Sequence, residues 1–230
     1  MPDTTRSSRS RSRATIVAIA PAALLAALVA HPFLPGRLPN DLAVAEAVTA
    51  DTTRWGLVHL ATGVASGLLI IAFLTIRSHL REAGEDRYSA LGVPFIVIGS
   101  TLFTLLPGME FAPLAVAGTE AATAAVAAAQ AALEPWFVPV LAIGALTFAA
   151  GVFGFAKGIA DRRLLGPRLT GLVVAALVVM AASRFVPLAV FQLYVQGAAG
   201  IVALWPLAYE MWKHPEAARP AGQPRPMPAA

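Results

Sequence analysis

Long apolar runs separated by short clusters of charged or turn-forming residues set the pattern of this chain. A membrane-spanning helix needs about 20 apolar residues to cross a hydrocarbon layer about 30 Å thick. Six runs reach or approach that length: Ala14–Leu34, Trp55–Ile76, Tyr88–Leu106, Trp136–Ala156, Leu169–Ser183 and Leu188–Trp212. The fifth is the shortest. The pattern predicts an all-α membrane protein, a six-transmembrane-helix bundle over residues 14–214. A basic disordered tail is expected over 1–13, and a Pro- and Ala-rich disordered tail over 215–230.

Two of the connecting loops are longer than a tight turn and predict short cap helices. In the first, Asn40 and Asp41 precede an Ala/Val stretch, a helix-start signature. In the second, Thr119 and Glu120 precede a run of alanines that reaches Leu133, and Pro135 stops that helix ahead of the fourth span. Leu34-Pro35-Gly36 and Leu106-Pro107-Gly108 end the first and third spans in the same way, while Trp55 and Trp136 open the second and fourth. A threefold helical hairpin would fit this, its last copy reduced to a turn at Pro187, although chance likeness of apolar segments fits equally. Trp55, Trp136 and Trp212 read as interfacial aromatic-belt residues. Gly63 with Gly67, and Gly154 with Gly158, have the four-residue spacing that lets helices approach closely.

Composition agrees with a lipid solvent: 57% of residues are hydrophobic, 13% are charged, and the mean hydropathy is +0.70. The net charge of +4 is explained by basic loops beside anionic lipid, and no nucleic-acid recognition motif accompanies it. Basic residues resist translocation, so their distribution predicts orientation. With the N-terminus inside, fourteen of the seventeen basic residues face the cytoplasm, and only Arg37, Arg54 and Arg184 fall outside. Both termini are therefore expected in the cytoplasm, and the cap helices outside. The Arg-rich start resembles a secretory signal peptide, but Leu28 stands where cleavage wants a small residue, so an uncleaved first span is expected. Fifteen arginines to two lysines is the composition of small multi-span proteins of GC-rich bacteria, which points to a bacterial inner membrane.

Ionisable groups in or near membrane spans are costly, and they mark functional sites. His31, His59, Glu110 and Arg184 fall near the outer ends of four spans, and Gln192 and Gln196 lie four apart in the outer half of the sixth. All six collect on one side. They predict a polar site in the outer leaflet that binds or passes a small ligand: a small molecule, a lipid or a proton. His59 is its centre, since histidine titrates near neutrality. The alternative is a structural or accessory subunit that packs on a membrane-protein partner, with the polar residues as interhelical glue. A lesser alternative is a haem-binding redox protein with His31 and His59 as axial ligands. No cofactor is otherwise predicted. There is no cysteine, no H-E-x-x-H, no G-x-S-x-G and no phosphate-binding glycine loop, so the reading leans away from an enzyme.

A reporter fused after Arg225 is expected to read as cytoplasmic, whereas activity on the outer face would overturn the predicted orientation.

Overall fold

A computed structural model describes residues 4–119 and 122–213, with side chains from residue 10 onward. The described residues are helical throughout except for connecting turns and one isolated bridge, Arg37 to Leu188. Lipid offers the backbone no hydrogen bonds, so each crossing segment must satisfy its own N–H and C=O groups, and a helix does so. Six helices among the described residues are long and apolar enough to cross a membrane. They begin with α1 (Thr4–Ala30), α3 (Thr52–Glu82) and α4 (Tyr88–Met109), the last continued by α5 (Phe111–Ala117). They continue with α7 (Glu134–Arg162), α8 (Gly166–Ala182) and a sixth span formed by a π-helical turn (Val190–Val195) running into α9 (Gln196–Lys213). Two further short helices, α2 (Asp41–Ala50) and α6 (Thr123–Ala131), lie in the long connections.

Each span packs against the spans before and after it in sequence, and α9 closes on α1, so the six form a ring. Its interior is filled by side chains. Phe73 of α3 meets Phe148 and Phe155 of α7 edge to face, with ring centroids 6.1 and 5.0 Å apart. At one end α2, α5 and α6 pack together around a second apolar cluster that includes Val44, Val48, Trp55 and Val126. Asn40 caps α2 by accepting a hydrogen bond from the Ala43 N–H at 3.2 Å, and Asp51 caps α3 through the Arg54 N–H at 2.8 Å. At the opposite end the Glu85 carboxylate accepts from the N–H groups of Arg87, Tyr88 and Ser89 and so caps α4. Burial alone would raise the Glu85 carboxyl, but the hydrogen bonds it accepts outweigh burial and hold it below the usual carboxylate range.

The tightest contact in the ring joins α4 to α7, and glycines make it. A Cβ at Gly99 would lie 2.4 Å from the Phe148 backbone nitrogen, and one at Gly151 would lie 2.6 Å from that of Ile96. Gly92 on α4 faces Gly151 on α7, Gly99 receives Phe148, and Gly144 receives Leu102 and Phe103, with a spacing of seven residues between the glycines on each helix. Of the two pairs expected from sequence, Gly154 does admit the Tyr88 carbonyl, and Gly158 makes room for the Glu85 carboxylate. Gly67 faces open space and Gly63 makes only ordinary contacts, so that pair brings no helix close.

Several boundaries differ from the sequence reading. The segment expected to be disordered over 1–13 is helical from Thr4. Partners hold it there: Arg13 pairs with Glu82 at 2.7 Å, and the Ser10 hydroxyl donates to the Met211 carbonyl at 2.8 Å. The tail over 215–230 lies outside the described residues. Pro107-Gly108 does not end the third span, because α4 runs through to Met109 before the chain turns at Glu110. A proline removes one helical hydrogen bond, and membrane helices tolerate this where neighbours cover the freed carbonyl. The second long loop holds α5 as well as α6, where one helix was expected. The expected turn at Pro187 is a 3-10 turn (Ser183–Phe185), the bridge to Arg37 and the π-turn, more structure than a bare hairpin needs.

Substitution of Gly99 by Ala is expected to destabilise the detergent-solubilised protein by about 1–3 kcal/mol through overpacking. Gly67→Ala should be neutral or slightly stabilising, by up to about 1 kcal/mol. Thermal unfolding followed by circular dichroism compares them, and equal effects would contradict the assigned helix contact.

Candidate functional site

A cavity of about 150 Å³ lies between the two apolar clusters, at the end of the ring that carries α2, α5 and α6. His31, His59, Glu110, Arg184, Gln192 and Gln196 all line it. The fold thus brings together every residue singled out by sequence, from the segment after α1, from α3, from the joint between α4 and α5, from the turn after α8 and from the sixth span. The rest of the wall is largely apolar, with Leu24, Leu28, Phe137 and Leu141 among its residues.

The two histidines touch each other, with ring centroids 4.9 Å apart in an edge arrangement. Trp55 completes the cluster, 4.3 Å from the His59 ring and 5.2 Å from that of His31. His31 Nδ1 lies 2.7 Å from the Pro32 carbonyl oxygen, and His59 Nδ1 lies 2.7 Å from that of Trp55. A carbonyl can only accept, so in the neutral ring Nδ1 carries the proton and Nε2 is left as an acceptor. Trp55 was expected at the membrane interface; instead it is 1% exposed, and its indole N–H donates to the Glu110 carbonyl at 3.3 Å. Trp136 and Trp212 remain exposed, as belt residues would be.

The charged pair is more unusual. Glu110 sits at the joint that follows Pro107-Gly108, with α5 beginning at the next residue, and it is buried. Its Oε1 accepts from Gln130 Nε2 of α6 at 3.1 Å, while its Oε2 has no hydrogen-bond partner. Arg184 sits in the 3-10 turn after α8 and is 4% exposed, too deep to reach water by extending along an interface. Its guanidinium carbon lies 3.7 Å from the Phe103 ring centroid and 3.5 Å from that of Phe148. Its Nε and Nη1 have no partner. Burying a polar group without a hydrogen-bond partner is costly, so two such groups on one cavity form a concentrated polar demand.

Three residues that belong to this neighbourhood escaped the sequence reading. Gln130 orients Glu110, and its signal was its being the one amide within an alanine run. Thr62 and Ser66 line the cavity three and seven residues beyond His59, on the same face of α3. That spacing was available in the sequence.

No protein-family model, curated protein or solved structure matches the chain.

Trp55 and Trp136 read alike in sequence, so their replacement separates the two assignments. Trp55→Ala is expected to destabilise by about 3–5 kcal/mol, as for a buried aromatic. Trp136→Ala should stay within about 0.5 kcal/mol. Denaturation in detergent checks both, and a harmless Trp55→Ala would contradict the assigned packing.

Proposed function

We propose that this multi-pass membrane protein binds a small ligand in the cavity built around His59. The carrying observation is that Glu110 and Arg184 line one cavity, and that each holds buried polar atoms without hydrogen-bond partners. Polar groups kept at such cost need a partner when the site works, and a ligand would supply one. His59 and His31 would present acceptors at Nε2, and Gln192 and Gln196 would add amides that orient the guest. The excess of basic residues at the other ends of the spans supports an outer-leaflet site and cytoplasmic termini.

Binding is favoured over free passage. Beyond Ser66 the ring interior is filled by Leu69, Phe73, Phe148 and Phe155, each at most 1% exposed. The cavity volume is similar to that of an apolar cavity known to hold benzene, so a small molecule fits within it.

Native mass spectrometry of the detergent-purified protein, wild type beside His59→Ala, tests this reading. The expected result is a small bound species on the wild type that is lost or strongly depleted in the variant. A ligand-free wild type with an unchanged variant would overturn it and leave the accessory-subunit alternative in front.

A further inference from the structure

We propose that the ligand is a small zwitterion, its carboxylate held by Arg184 and its ammonium by Glu110. This rests on the cavity being a ligand site, and it deepens that reading by naming the chemical class.

Charged groups at the other end of the ring are occupied with one another. Arg13 pairs with Glu82 and also donates to Ser78, and the Glu85 carboxylate caps α4 with three hydrogen bonds. The buried atoms without partners there are the neutral hydroxyls of Ser89 and Thr170. At the cavity the demand is unmet and has two signs. Arg184 lines the cavity with Nε and Nη1 lacking partners, and its guanidinium carbon lies close to the Phe103 and Phe148 rings. A guanidinium is complemented best by a carboxylate, which accepts charge-assisted N–H bonds. Glu110 offers an oxygen without a partner, while Gln130 already serves the other one. The complement of that oxygen is a donor, and a cationic donor gives the strongest hydrogen bond.

Charge balance decides between guests. A monoanion would satisfy Arg184 but bring a second negative group into the cavity with Glu110. A monocation would satisfy Glu110 and crowd Arg184. A neutral amide would bond to both groups, yet charge-assisted hydrogen bonds are roughly twice as strong as neutral ones. Only a guest with both charges and no net charge answers both groups at once. The volume, about 150 Å³, admits a short-chain amino acid with a small apolar side group against Leu24, Leu28 and Leu141.

An isosteric series tests the inference on the full chain in detergent by isothermal titration: alanine, isobutyrate, isopropylammonium and isobutyramide. Alanine is expected to bind about tenfold or more tighter than each of the other three. Glu110→Gln keeps the shape and a partner for Gln130, and should erase the advantage of alanine over isobutyrate. Arg184→Gln should erase its advantage over isopropylammonium. If that variant fails to fold, Arg184→Lys keeps the charge without the planar fork and should weaken alanine more than isopropylammonium. Isobutyramide or isobutyrate binding as tightly as alanine would overturn the zwitterion and leave the cavity a ligand site. So would a wild type that ignores all four compounds yet carries a bound species in native mass spectrometry. A wild type that ignores all four and carries nothing would overturn both.

Discussion

Lipid supplies no hydrogen bonds, and this constraint governs where each polar group of the chain can go. The backbone answers it by folding into helices, and the side chains answer it by finding partners within the bundle. Thr62, Thr75, Thr104 and Thr147 each turn back to donate to a carbonyl four residues earlier, so they cost their spans little. Arg13, Glu82 and Glu85 meet partners at one end of the ring. What remains is concentrated at the other end, where two histidines, a carboxylate and a guanidinium share one cavity. The buried charged groups are thus polarised, while the neutral hydroxyls of Ser89 and Thr170 lack partners at the first end.

That cavity depends on contacts made elsewhere. The glycine-lined crossing of α4 and α7 fixes Phe148, whose backbone nitrogen stands against Gly99 and whose ring meets the Arg184 guanidinium. The same helix α4 carries Phe103, the second ring under Arg184, and ends one residue before Glu110. One interface therefore places both charged groups. The break between α4 and α5 turns the chain so that α5 and α6 can pack with α2, and α6 brings Gln130 to the carboxylate. Trp55 ties this second layer to the ring through its bond to the Glu110 carbonyl.

The class of fold and the membership of the site were legible because both follow from the cost of polarity in lipid. Apolar runs of sufficient length located all six spans, and the rarity of polar residues within them picked out six residues that share the cavity. Features that depend on packing were hidden. The tryptophans at positions 55 and 136 each open a span in sequence, yet one is buried against two imidazoles and the other is exposed. Glycine spacing by four pointed to Gly63 and Gly67, whereas the close crossing uses a spacing of seven between Gly92 and Gly99. Pro107 was read as a stop, because the sequence does not show which neighbours surround the carbonyl it frees.

The histidines sharpen the contrast between a structural and a functional reading. Structural glue would pair the polar groups with one another, since an unmet partner is the costliest arrangement a membrane interior offers. Here His31 and His59 bond to nearby backbone rather than to Glu110, and Arg184 rests on aromatic faces rather than on a carboxylate. The orienting bonds fix each imidazole while leaving Nε2 toward other partners, and Gln130 fixes Glu110 while leaving Oε2 likewise. Each group is held on one side and left with bonding capacity on the other. Interhelical glue does not need that division, whereas a preorganised binding site does.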